Sequence, residues 1–167
     1  MEAIFNRVSI RKFEEIPVEA DKIEKILRAA MAAPSGGNQQ PWKFLVVRNK
    51  NIIEQLGKSS PYAGCVSGAP VVIIPCINRE TTRFPELVEM DMSNATENIL
   101  LEITELGLGG VWIAVTPYED RVQKVHEALG ITEEEKLQAF ALVPLGYPAE
   151  NQARQDRFNP ERVRYVD

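Results

Sequence analysis

The sequence predicts an α+β sandwich rather than a doubly wound fold, and three observations carry that prediction. Apolar, β-branched runs that read as strands are few and unevenly spaced. Helical periodicity dominates the longest segments. The chain also opens on helical segments, where a parallel sheet calls for strands alternating with helices from the start.

After Pro17, residues 18–33 read as an amphipathic helix: Ile23, Ile26, Leu27 and Ala30 recur at helical spacing, and Asp21/Lys25 and Glu24/Arg28 form i,i+4 pairs. Pro34 stops it. Residues 43–48 (K-F-L-V-V-R) and 70–77 have the short apolar pattern of buried strands, with a polar helix near residues 51–58 between them. The longest periodic element covers residues 85–106, where Val88, Met92, Ala95, Ile99, Ile103 and Leu106 step by three or four; this is the expected central helix. Gly107-Leu108-Gly109-Gly110 ends it in the manner of a glycine C-cap. A strand over residues 111–115, a helix over 118–129 closed by Gly130, and a last strand over 140–145 follow, before Gly146-Tyr147-Pro148. The tail, residues 149–167, carries Arg154, Arg157, Arg162 and Arg164 among polar residues and has no periodicity that would bury it on its own domain. It must lie on something or stay mobile.

At 167 residues one domain with a hydrophobic core is expected, spanning residues 1–167. A hydrophobic share of 44% against 26% charged is the balance of a folded chain. The net charge of -5, with Lys and Arg scattered except at the two ends, argues against a surface that tracks nucleic acid. Cys65 and Cys76 form no C-x-x-C pair and lack the further Cys and His of a zinc site, so they read as reduced and structural, with no metal expected. The opening residues show no charged segment followed by an apolar one, and no stretch reaches the roughly eighteen apolar residues needed to span a bilayer, so a soluble, cytoplasmic protein is expected.

Four stretches could carry chemistry. In Arg7-Val8-Ser9-Ile10-Arg11-Lys12-Phe13, an extended or partly helical backbone lets Arg7, Ser9 and Arg11 converge on one anion; the same stretch also reads as a solvated basic segment. Ala33-Pro34-Ser35-Gly36-Gly37-Asn38-Gln39-Gln40-Pro41-Trp42 is rigid at both ends and polar in the middle. Its glycines permit close backbone approach and its amides suit a heterocycle edge, although a long turn with helix-stop chemistry explains it as well. Asp91, Ala95 and Asn98 share a stripe on the central helix, where bonds to neighbouring backbone are favoured over ligand contact. Gly107-Leu108-Gly109-Gly110 lies between a helix and a strand, the wrong order for a dinucleotide fingerprint, and His126 has no nucleophile motif nearby and reads as a surface residue.

Taken together, these segments resemble the nitroreductase family of flavoenzymes. R-V-S-I-R-K-F is similar to the family's R-x-S-x-[RK]-x-F, and A-P-S-G-G-N-Q-Q-P-W to its A-P-S-x-x-N-x-Q-P-W. D-M-S-N-A-T-E-N-I-L-L resembles the helix before G-L-G, and P-L-G-Y-P the usual last strand. The resemblance implies a three-layer sandwich with a mixed, mainly antiparallel sheet flanked by helices. It further implies an intertwined homodimer with FMN at the subunit interface and NAD(P)H as electron donor.

By position, the resemblance assigns Arg7, Val8 and Ser9 to the phosphate and ribityl chain, and Arg11 to the N1 and C2-carbonyl edge of the flavin. Pro34, Ser35, Gly36 and Asn38 are implied to reach that flavin from the other subunit, while backbone amides of Trp112, Ile113 and Ala114 pass near N5. Arg157 matches the late arginine that meets the phosphate, with Arg154 as the alternative. The chain departs from many relatives in carrying Ala114-Val115-Thr116-Pro117 where a glycine or Glu-Gly pair is usual, and in lacking an inserted segment that partly covers the flavin. No side chain is expected as acid or base. The implied reaction is a ping-pong transfer of hydride from NAD(P)H to a nitroaromatic, quinone or similar acceptor, the alternative being a flavin-binding or flavin-sensing protein without turnover.

Overall fold

Seven successive apolar residues, Val71 to Ile77, cannot be satisfied by one buried face, because alternate residues of a strand point to opposite sides of its sheet. The computed structural model, which describes residues 2–166, covers both faces of this strand. Met1 and Asp167, which the sequence reading places in the opening segment and the tail, lie outside the described residues. In chain order the elements are α1 (Glu2–Asn6), α2 (Ala20–Met31), β1 (Trp42–Val47), α3 (Lys50–Leu56), β2 (Val71–Asn78) and α4 (Val88–Glu105), followed by β3 (Gly109–Gly110), β4 (Ile113–Ala114), α5 (Glu119–Leu129), β5 (Leu137–Ala139) and β6 (Ala141–Gly146).

Val71 and Ile73 of β2 pack with Ile26 and Ala30 of α2 and with Ile99 and Ile103 of α4. Val72, Ile74 and Cys76 point the other way, against Ile53 and Leu56 of α3 and Val125 of α5. This makes three layers: two helices, sheet, two helices. The sheet runs β1, β2, then β5 with β6, then β3 with β4, and every ladder between named strands is antiparallel. A single parallel bridge, Ser9 to Gly110, ties the amino-terminal segment to its edge. No helix among the described residues is long and apolar enough to cross a membrane.

Two strands differ from the sequence reading, each for a local reason. The last strand begins earlier, at Leu137, and is interrupted at Phe140. The pairings Cys76 with Ala139 and Ile73 with Val143 differ in register by one residue, so Phe140 is a bulge, and its N–H donates to the Pro75 carbonyl at 2.9 Å. The strand expected over residues 111–115 is instead two short pairs in one common register against β6, Gly110 opposite Leu145 and Ile113 opposite Leu142. Between them Val111 faces Pro144, which has no N–H to donate, and only a long 3.4 Å bond from Val111 N–H to the Pro144 carbonyl remains.

The helix ends follow the glycines. Gly107 takes φ +71°, and α4 closes with Leu108 N–H on the Ile103 carbonyl at 2.9 Å and Gly107 N–H on that of Thr104 at 3.1 Å, a Schellman arrangement. Gly130 closes α5 at φ +67°. Helix α2 starts two residues later than expected, leaving Val18 as a buried lead-in to the α2/α4 core.

Candidate functional site

The amino-terminal segment is positioned by Ile10. Its side chain is buried against Gly109, where an added Cβ would meet Ile10 Cβ at 2.7 Å, and its N–H donates to the Gly110 carbonyl at 3.0 Å. In an extended stretch the neighbours of a buried residue point outward, so Ser9 and Arg11 both face away from the core. The tail begins by pairing with the same stretch: Ala149 N–H donates to the Lys12 carbonyl and Arg11 N–H to Glu150 Oε1 at 2.7 Å. The Arg11 N–H, with that of Lys12 behind it, holds the Glu150 carboxyl below its ordinary range.

Led back in this way, residues 152–158 form one wall of a cavity of about 970 Å³ whose other wall is the segment carrying Arg7, Val8, Ser9 and Arg11. Arg154 and Arg157 line it too. The structure therefore brings six of the sequence-predicted residues together, and it places both late arginines at the site. Four arginines line one cavity in a chain whose net charge is -5. Among the described residues only Arg7 of these four has a carboxylate partner, Glu97 of α4 at 3.6 Å, itself half exposed. Arg157 is steadied by Gln155 Oε1, at 3.0 Å from Nε and 2.8 Å from Nη2, and Arg154 lies 5.1 Å from the centre of the Phe5 ring. With a serine hydroxyl beside it, this donor set suits a phosphate dianion.

Pro34, Ser35, Gly36 and Asn38 do not line this cavity. Their loop is latched to the start of α4 by the buried Asp91, whose Oδ1 accepts Gly36 N–H at 2.8 Å and whose Oδ2 accepts Gln39 Nε2 at 2.6 Å. Gln39 completes the latch by accepting the N–H groups of Arg83 and Phe84, both at 2.9 Å. Gly37 needs its glycine, with φ +55° and Phe84 at 2.6 Å from an added Cβ. Asn38, at φ +52°, is exposed. Asn98 donates to the Ala29 carbonyl at 2.9 Å, so the polar stripe on α4 bonds neighbouring backbone and side chains, as its packing reading holds.

Trp112, Ile113 and Ala114 lie outside the cavity lining as well. Their backbone is nonetheless informative. Val111 bonds toward β6 and the Gly110 carbonyl toward Ile10, and strand alternation then turns the amides and carbonyls of Trp112 and Ala114 to the same outer edge as Gly110. Ile113 is buried in the α3/α5 core, while Trp112 meets Phe140 at 5.6 Å between ring centres.

Three features escape the sequence reading. Gln39 signals its role only through a carboxylate fifty-two residues away. Arg121 donates from Nη1 to the Ala114 carbonyl at 3.0 Å and stacks on two tyrosines, Tyr62 and Tyr118. His126 is half-buried and not on the surface: Nε2 accepts Ala139 N–H at 3.2 Å, and burial, with Arg79 adding to it, pushes its pKa down. Both cysteines are free, and burial pushes the Cys76 thiol up to about 12.

Comparison with known proteins agrees with this geometry. The family model described as Nitroreductase family matches residues 4–61 and 60–147. A protein of Methanothermobacter thermautotrophicus, provisionally assigned as an NADH dehydrogenase/NAD(P)H nitroreductase, is 43% identical over 163 residues, 98% of this chain and 84% of its own. The crystal structure of a provisionally assigned NADH oxidase from Clostridium acetobutylicum superposes with a TM-score of 0.94 at 40% identity, covering 99% of both chains. A provisionally assigned nitroreductase from Desulfovibrio desulfuricans, solved in complex with FMN, superposes with a TM-score of 0.86 at 29% identity, over 99% of this chain and 95% of that one. The chain therefore belongs to the nitroreductase family of oxidoreductases.

Proposed function

We propose that this chain is an FMN-dependent NAD(P)H oxidoreductase that reduces nitroaromatics, quinones or similar acceptors, and that two copies join to complete each flavin site. The observation that carries the reading is the lining of one cavity by four arginines and Ser9 in an acidic chain. FMN, when bound, supplies two-electron hydride chemistry, with NAD(P)H as donor and the acceptor served in a separate half-reaction.

The chain's own residues bind and orient. Arg7, Ser9 and Arg157, with Arg154 beside them, hold the phosphate through charge-assisted bonds, and Val8 lines the same wall. Arg11 supplies a fixed cation that favours a reduced, negatively charged ring. The outward amides of Trp112 and Ala114 offer donors along the strand edge, with Ile113 anchoring that strand in the core between them. Pro34, Ser35, Gly36 and Asn38 of the partner subunit complete the enclosure.

Exposed apolar surface supports the dimer. The tail leaves Phe158 77%, Tyr165 85% and Val166 84% exposed, and Ile4 and Phe5 of α1 are open beside it. Apolar side chains on a segment without a domain of its own to cover them mark a surface for another chain. Anaerobic titration tests the function: the FMN-reconstituted protein is expected to lose its visible flavin absorbance with NADH or NADPH and to recover it repeatedly with menadione or a nitroarene. A preparation that stays oxidised under excess of both nucleotides refutes it, and one stoichiometric change without turnover marks a binding protein instead.

A further inference from the structure

We propose that Arg121, held between Tyr62 and Tyr118 at the outer edge of β4, is the anchor for planar aromatic electron acceptors that carry a carboxylate or similar anionic group. This rests on the flavin reading above, and goes beyond it by naming a residue that selects the acceptor.

The guanidinium carbon of Arg121 lies 3.8 Å from the centre of the Tyr118 ring and 5.5 Å from that of Tyr62. Both tyrosines are exposed, Tyr62 at 71%. Such a stack fixes the plane of the cation and keeps aromatic faces open beside it. A guanidinium has five N–H donors, and the Ala114 carbonyl takes one.

Helix stability does not explain the residue's position. Arg121 sits in the first turn of α5, where the helix dipole disfavours a cation, and has no carboxylate partner among the described residues. The acids nearest in sequence are engaged elsewhere. Asp120 lies 3.9 Å from Lys124, and Glu119 lines a separate cavity with His126.

The location is what gives this cluster a role. The outer edge that begins at Gly110, bonded to Ile10 beside the arginine-lined cavity, ends at Ala114, bonded to Arg121. Four residues of strand span about 13 Å. The edge thus has the arginine-lined cavity beside one end and an aromatic-framed cation at the other. An aromatic carboxylate can stack on a tyrosine while its anion meets the free donors; a neutral aromatic gains only the stacking.

Calorimetric titration of the oxidised, flavin-loaded protein with 4-nitrobenzoate and with neutral 4-nitrobenzamide tests this. The parent is expected to bind the anion about tenfold more tightly. Arg121→Gln should erase that preference, Arg121→Lys should restore most of it, and Tyr62→Leu should weaken both ligands alike. Flavin absorbance per chain should be the same in all four proteins. A parent without preference, or an Arg121→Gln protein that keeps it, overturns the proposal; should Arg121→Gln fail to fold, the lysine and leucine variants decide, since a lysine variant without preference overturns it too. A chain that takes up no FMN sinks the functional reading and this proposal with it, whereas flavin uptake without an anion preference sinks the proposal alone.

Discussion

Replacing Asp91 with alanine removes the carboxylate that ties the loop of residues 34–40 to α4, leaving there the longer bond from Asn94 Nδ2 to the Pro34 carbonyl at 3.4 Å. Asp91 is only 3% exposed and accepts two bonds, from Gly36 N–H at 2.8 Å and from Gln39 Nε2 at 2.6 Å. A hydrogen bond to a charged group contributes about 1.5–3 kcal/mol. Losing both, while no longer burying a carboxylate, leaves a net cost of about 3 kcal/mol. For a chain of 167 residues each kcal/mol lowers Tm by about 2–4 °C, so a fall of about 6–12 °C is expected by calorimetry. The scans are run at one fixed chain concentration, because self-association of the kind proposed would make Tm concentration-dependent. Asp91→Asn keeps one acceptor and turns an amide donor toward the other bond, so it should lose at least half as much. An alanine variant that melts within about 2 °C of the parent refutes the reasoning.

Three further expectations follow from the site and its surroundings. Arg157→Ala and Arg154→Ala should each weaken FMN retention in equilibrium dialysis, the true phosphate partner by about tenfold or more, and equal affinity in parent and both variants counts against the cavity as the phosphate site. Folding depresses the His126 pKa through burial, so its share of stability is complete above the unfolded value of about 6.5 and is lost as pH falls from there toward the folded value. Urea denaturation at about pH 7.5 and about pH 5 should show a smaller acid loss in His126→Gln than in the parent, and an equal or larger loss contradicts this. Deleting residues 149–167 should yield a flavin-free monomer by light scattering, whereas a flavin-loaded dimer of the shortened chain removes the tail from both roles.

Local signals made most of the framework legible. Periodicity located α2, α4 and α5, and Gly107 closed α4 as its position suggests. The misplacements arose where a residue's effect falls on a distant strand. Pro144 silences a bond that Val111 would have received, and Phe140 shifts a register that only Cys76 and Ile73 reveal. The same division holds at the site. Arg7, Ser9 and Arg11 stand two residues apart in an extended stretch, and their convergence could be read directly. That Arg154 and Arg157 face them depends on the tail turning back along Lys12 and Arg11, which no spacing encodes. Gln39, His126 and Arg121 act through partners on other elements, so each looked ordinary in its own neighbourhood.

On the proposed reading, lining one recess with four arginines also determines which flavins it would hold. Like charges at close quarters repel, and Glu97 beside Arg7 and Asp156 in the lining offset two of the four at most. A recess of that charge attracts anions. A dianionic phosphate ester offsets the repulsion, while riboflavin, identical in its rings but lacking that group, leaves the repulsion in place. On that reading, discrimination between the vitamin and its phosphorylated form would rest on the charge of the recess rather than its shape.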